Sequence, residues 1–156
     1  MSGELSLRNR QRTRPVDLPL LRRLIRDFLS SALALGDFDL TVHLVNAKEM
    51  TRLNETHLQH EGSTDVITFD YSTGTALAGE IFVCIDEALI QARRFRTTWQ
   101  SEMVRYIIHG TLHLQGHDDL SPLPRRKMKK EEARLLKEMS RRFPLSKLGR
   151  KSKLPA

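Results

Sequence analysis

A chain of 156 residues, 39% hydrophobic and with few aromatics, has the size of one globular domain and too much apolar content for a disordered segment. Its formal charge of +7 is uneven: residues 1–26 carry seven arginines against Glu4 and Asp17, residues 141–156 carry six basic residues and no acid, and residues 27–140 carry 13 basic and 17 acidic residues. No apolar run approaches the roughly 20 residues of a membrane span, the N-terminus lacks the apolar stretch of a secretory signal, and a single cysteine, Cys84 in the apolar run IFVCI, excludes an internal disulfide. The expectation is a cytoplasmic protein with no membrane partner, whose two basic ends suit a polyanion such as nucleic acid.

The first 16 residues read as a loose arm or a short edge strand. Asp17 is placed to cap a helix in which Leu20, Leu21, Leu24, Ile25, Phe28 and Leu29 recur at helical spacing, with Pro19 in its first turn and Gly36 at its end. FDLTVHLV, 38–45, alternates as a strand, with His43, Asp39 and Thr41 on the face opposite Phe38, Leu40, Val42 and Leu44. Asn46 and Glu49 have capping-box spacing, which starts a helix running to about His57. After the loop HLQHEGST, strands are expected at 66–69 and 80–85. Asp86 is expected to cap a helix to Phe95, and Thr97 or Thr98 a helix over 99–115 ended by Gly116. SPLP, 121–124, reads as a breaker before a last helix over 125–140, and 141–156 as a flexible basic tail. The pattern is α+β: a single domain over 1–140 with a small mixed sheet flanked by several helices.

The chemistry concentrates in HGTLHLQGHDD, 109–119, which holds three of the six histidines. On a helix, His109 and His113 lie one turn apart on one face, the spacing of two ligands to one metal ion. His117 on the same straight helix would lie about 12 Å from His109, whereas two ligands of one zinc ion lie at most roughly 4 Å apart. Gly116 solves the problem, because a glycine past the last turn reverses the chain and brings Asp118 or Asp119 back toward the ion. With Asp119 as third ligand the string H-x-x-x-H-x-x-G-x-x-D matches the zincin-like skeleton H-E-x-x-H-x-x-G-x-x-H, except at the general base and at the third ligand. Gly110 stands where a metalloprotease keeps its glutamate, so peptide hydrolysis by that route lacks its proton acceptor. The expected cofactor is one Zn2+ per chain, with Mn2+ or another divalent ion tolerated because Asp119 is a harder ligand than histidine.

HGTLHLQGHDD resembles the YbeY family of bacterial metal-dependent endoribonucleases, whose pattern is approximately H-G-x-L-H-L-x-G-[YH]-D-H. LNETHLQHEGSTDVITF, 53–69, is similar to the family's L-N-x-x-Y-R-x-x-D-x-P-T-D-V-L-S-F, and AGEIFVCIDEA, 78–88, to its L-G-D-I-x-I before a helix. The resemblance runs in order over about residues 39–140. It departs at Asp119, where the family keeps a third histidine, and in the loop. There Leu58 takes the place of an arginine, His57 of a tyrosine and Ser63 of a proline, with His57 and His60 the nearest groups to replace the arginine. Thr64 and Asp65 stand where the family keeps T-D, a pair expected to fix a turn.

The resemblance implies a single-strand-type endoribonuclease that trims ribosomal RNA or its precursor, with the ribosome or its small subunit as partner. His109, His113 and Asp119 would hold the metal, and Asp118 would orient a histidine. RNA contacts would come from Arg105, one turn before His109, from the run RRKMKK (Arg125, Arg126, Lys127, Lys129 and Lys130), and from the basic ends. Two other readings are a metalloprotease-like hydrolase, opposed by Gly110, and a non-catalytic ribosome maturation factor that uses its metal for folding.

Overall fold

The computed structural model describes residues 3–57, 62, 64–74 and 76–150. Leu58, His60 and Ser63 therefore lie outside the described residues, as does 151–156. The edge strand predicted as one alternative for the N-terminus is β1, Glu4–Asn9, and it pairs in parallel with β2, Phe38–Val45. Between them runs α1, Leu18–Asp27, capped as expected by the Asp17 carboxylate, which accepts from the Leu20 N–H at 3.0 Å. α1 continues as a π-helical turn, Phe28–Ala32, and Ala34 has φ 53°, so the chain leaves the helix before Gly36.

α2 spans Ala47–His57, and the Asn46 side chain accepts from the Glu49 N–H at 2.9 Å, as the capping spacing predicts. β3, Val66–Asp70, pairs antiparallel with β4, Leu77–Cys84, which in turn pairs in parallel with β2. The strand order is β1-β2-β4-β3, so the sheet is mixed, as expected. α3, Ile85–Phe95, and α4, Trp99–Leu114, follow β4, and the Thr98 hydroxyl caps α4 by accepting from Ser101 N–H at 3.2 Å.

Three expectations are corrected. Asp86 does not cap its own helix, where Cys84 is the N-cap; it sits in the first turn of α3 and accepts from the Ala47 N–H at 2.6 Å, so it caps α2 instead. SPLP does not break the chain: α5 spans Pro122–Arg142, with Ser121 at the N-cap and proline in the first turn, where a missing N–H costs nothing. Residues 141–150 are not a loose tail. Arg141 and Arg142 complete α5, Leu145–Gly149 forms a 3-10 turn with Leu148 fully buried, and the Leu148 carbonyl accepts from Asp17 N–H at 2.9 Å.

One face of the sheet buries Leu5, Leu40, Val42, Leu44, Ile81 and Val83 against α1 and α4. α4 is nearly enclosed, with Met103, Val104, Ile107, Ile108 and Leu112 all buried; α3 and α5 pack on its flanks. Each such side chain contributes roughly 1.5–3 kcal/mol on leaving water. The other face carries a smaller cluster, Val45, Met50, Ile67, Phe82 and Cys84, under α2. The Cys84 thiol is buried there, as its apolar run predicts. His43 is on this second face as expected, but it is buried: its ring stacks on Phe82 at 4.2 Å and its Nε2 lies 2.8 Å from Glu80. Enclosure of α4 by the sheet, α3 and α5 leaves only His109 and His113 partly exposed in its C-terminal half.

Candidate metal centre

His109 and His113 project from the last turns of α4, which end in a reversal made by Gly116 at φ +95°. The Gly116 N–H donates to the His113 carbonyl at 2.9 Å and the His117 N–H to the Leu112 carbonyl at 3.0 Å, which satisfies carbonyls the helix leaves open. The Asp118 carboxylate then accepts from Leu120 N–H at 2.7 Å, and the Arg125 Nε donates to the Asp119 carbonyl at 2.9 Å. The reversal, the turn and the tether from α5 together fix the backbone at Asp119.

The result brings three donors together. His109 Nε2 and His113 Nε2 lie 3.1 Å apart, and Asp119 Oδ2 lies 3.7 Å from the first and 3.5 Å from the second. Bonds of 2.0–2.1 Å to a tetrahedral ion require ligand atoms about 3.3 Å apart. The observed triangle straddles that edge, so His109, His113 and Asp119 form a group able to hold a divalent ion. All three side chains are partly exposed, which leaves room for a further ligand from solvent or substrate. His117 is not in the group; its backbone closes the reversal. Asp118 is exposed and engaged with Leu120, so its carboxylate is committed to the turn and not to a histidine.

The residue against the histidine is Glu132 of α5. Its Oε2 lies 2.7 Å from His109 Nδ1, and the carboxylate is buried. A carboxylate on Nδ1 fixes the tautomer that leaves the Nε2 lone pair free toward His113 and Asp119, where an ion would be held. Burial pushes the His109 pKa down, but the hydrogen bond and charge of Glu132, with Asp65 and Asp119 nearby, outweigh it and hold the pKa above its usual value. Sequence reading gave Glu132 no part in the site. Its position 23 residues beyond His109 carries no periodic signal, because the pairing depends on how α5 packs on α4.

Gly110 faces the sheet. A Cβ there would come 2.9 Å from Ile81 Cγ2 and 3.1 Å from Thr68 Cγ2. The residue that stands in for the protease glutamate is thus pressed against β4 and β3, and the glycine is explained by packing.

A cleft of about 690 Å³ opens beside the centre. His109, Asp119 and Glu132 line it, and so do Arg105, Arg125 and Lys129, three of the six expected RNA-contact residues. Arg105 lies 3.3 Å from Glu102 and 3.8 Å from Glu132, so it is paired with carboxylates within the cleft wall. Lys127 lines a separate cavity with Gly116, His117 and Leu123. Arg126 and Lys130 are exposed on α5. Asp65 fixes its turn as expected, accepting from Val66 N–H at 2.8 Å, and it also lines the cleft. His57 ends α2, exposed, with its ring edge-on to Phe69 at 5.6 Å.

Fold and site define a class: a mixed-sheet α+β protein with a candidate two-histidine, one-aspartate centre at the mouth of a cleft whose wall carries both cations and carboxylates. The family profile described as "Endoribonuclease YbeY" matches residues 6–140, and the chain belongs to that family. Proteins named endoribonuclease YbeY are similar to it. The one from Chlorobium luteolum is 41% identical over 90 residues, 58% of this chain and 66% of that protein. The one from Salinibacter ruber is 31% identical over 141 residues, 85% of this chain and 89% of that protein. In three Chlorobium relatives the matched stretch spans 60–66% of the relative's length. A solution structure of a Thermotoga maritima protein shares the fold, with a TM-score of 0.68 at 23% identity over 97% of this chain and 99% of that one. Among the described residues no helix is long and apolar enough to cross a membrane.

Proposed function

We propose that this chain is a metal-dependent endoribonuclease that cleaves single-stranded segments of ribosomal RNA or its precursor, in the cytoplasm and in association with the ribosome or its small subunit. The observation that carries the reading is the convergence of His109, His113 and Asp119 at the edge of a cleft lined by Arg105, Arg125 and Lys129. His109, His113 and Asp119 would hold one Zn2+, or a harder ion such as Mn2+. A divalent ion so held polarises a phosphate oxygen and acidifies a water or a ribose 2′-hydroxyl.

The chain's own residues do the rest. Glu132 accepts the His109 Nδ1 proton and keeps Nε2 free to donate its lone pair. The guanidinium groups of Arg105 and Arg125 and the ammonium of Lys129 receive the phosphodiester and neutralise charge that builds up on its oxygens. Arg125 serves twice, since its Nε also tethers the backbone of Asp119. Gly110 supplies no carboxylate, and its place against Ile81 and Thr68 leaves none to be introduced there, which argues against peptide hydrolysis.

The test is metal content by mass spectrometry on tag-free protein, followed by cleavage of a single-stranded RNA with and without chelator. Wild type is expected to carry about one zinc per chain and to cut RNA in a chelator-sensitive way, and His113→Ala and Asp119→Ala to lose both. Tight RNA binding without cleavage by fully loaded protein would overturn the nuclease reading in favour of a maturation factor that uses the metal for folding.

A further inference from the structure

α3 ends in Arg93, Arg94, Phe95 and Arg96, a segment that the metal centre does not use. Phe95 is 61% exposed, although aromatics make up only 6% of the chain. The Arg94 guanidinium sits 5.5 Å from the Phe95 ring centroid. Arg93, Arg94 and Arg96 are exposed. Arg96 is the helix C-cap in the left-handed conformation, at φ 56°, so the segment turns the chain from α3 into α4. A helix C-terminus attracts cations and accounts for arginines at this point. It does not account for a phenylalanine ring left in water.

Phe95 and Thr97 line the same cleft as His109 and Asp119. Along the cleft, α4 presents Glu102, Arg105 and His109, a stripe that spans about 10 Å along the helix axis and ends at the candidate metal centre. The Tyr106 hydroxyl, also on this wall, is buried and has no hydrogen-bond partner among the described residues. Burial, together with Asp65, Glu102 and Glu87, pushes its pKa far up, so it stays a donor.

We propose that Phe95 is a base-stacking platform, and Arg93, Arg94 and Arg96 its phosphate contacts, on a track that leads single-stranded RNA along the cleft to His109 and Asp119. The track rests on the nuclease reading for its direction but not for its existence. The ring face away from Arg94 accepts an unpaired base whatever its identity, and the exposed guanidinium groups next to it in the chain match a phosphate backbone; that combination is how sequence-tolerant single-strand sites are built. A duplex offers no free base face. An acidic protein segment would use the arginines but not the ring.

Binding of a short fluorescein-labelled single-stranded RNA, checked intact on a gel, is measured by anisotropy over a series of salt concentrations, with polyglutamate as competitor. Phe95→Ala is expected to weaken binding about five- to a hundredfold, the range one base stack supplies, with an unchanged salt slope. Phe95→Trp restores it. Replacing Arg93, Arg94 and Arg96 by Gln lowers the slope of log affinity against log salt by about 2. The ring is exposed, so the Phe95 variants keep the wild-type melting curve. RNA affinity unchanged in Phe95→Ala, or polyglutamate competing as well as RNA, overturns the track while chelator-sensitive cleavage by wild type leaves the nuclease reading standing. Loss of affinity in Phe95→Ala from a wild type that binds but never cuts does the reverse. A wild type that binds no RNA overturns both.

Discussion

Glu132 bears on the candidate metal centre through one hydrogen bond to His109, and its removal has a defined consequence. Glu132→Gln keeps an acceptor near His109 Nδ1 but loses the charge that fixes the ring's tautomer. Zinc affinity is expected to fall about ten- to a hundredfold, read by competition with a chromophoric chelator; an unchanged affinity would mean that the ring is oriented by its packing alone. Gly110 is governed by space. Its Cβ position, 2.9 Å from Ile81 and 3.1 Å from Thr68, forces α4 off the sheet in Gly110→Ala. Overpacking of this kind costs about 1–3 kcal/mol, measurable by urea unfolding, and it would displace His109 next to it. The two residues also mark what is readable at this scale. His109, His113 and the turn at Gly116 are local in sequence, and geometry alone nominates Asp118 or Asp119 as the third donor. The H-x-x-x-H-x-x-G-x-x-D spacing then selects Asp119, whereas Glu132 reaches His109 only because α5 packs on α4, a contact that no local spacing encodes.

At the scale of elements, signals that act within one element were legible and those that cross between elements were not. β2 falls on its alternation, and α4 starts at its Thr98 cap. Asp86 misled because the capping preference says that a carboxylate will find free N–H groups but not which helix provides them; here the groups belong to α2, 39 residues earlier. Asp86→Ala is therefore expected to cost about 1 kcal/mol and to speed hydrogen exchange at the start of α2 rather than of α3, where exchange confined to α3 would show the cap assignment wrong. β2 and β4 are also joined by a polar pair on their second face. His43 lies 2.8 Å and the Tyr71 hydroxyl 2.7 Å from Glu80. Burial alone would raise the Glu80 pKa, but hydrogen bonds from His43 and Tyr71, with charges from His43 and Arg8, leave it below its usual value. A carboxylate depressed in the folded state stabilises fully above its unfolded pKa, and that stability is lost as pH falls through the lower folded value. Glu80→Gln should hence melt below wild type near neutrality, with the gap closing below about pH 4. A gap that stays constant down to acid pH would assign the effect to packing.

On the scale of the whole molecule, the described parts of the two basic ends touch. The Asp17 N–H donates to the Leu148 carbonyl, and Arg142 pairs with Asp27 at 2.8 Å, so the arginine-rich N-terminal segment and the C-terminal helix share one side of the domain. The charge asymmetry was legible; its convergence was not, because it needs the burial of Leu148 among the core residues. The candidate metal centre joins a different set of elements, since α4 supplies His109 and His113, the loop supplies Asp119, and α5 supplies Glu132 and Arg125. A ligand that binds only this assembled arrangement must stabilise the whole fold by mass action. Zinc at a thousandfold excess over its dissociation constant adds about 4 kcal/mol, and at about 2–4 °C per kcal/mol for a chain of this size the melting temperature should rise by about 8–16 °C. Chelator should reverse the rise, and His113→Ala should abolish it, because two remaining donors on separate elements no longer close around one ion. Scanning calorimetry on wild type and His113→Ala, each with zinc and with chelator, gives the four curves needed. A zinc-dependent rise that survives in His113→Ala would move the binding away from α4 and leave the cleft without its metal.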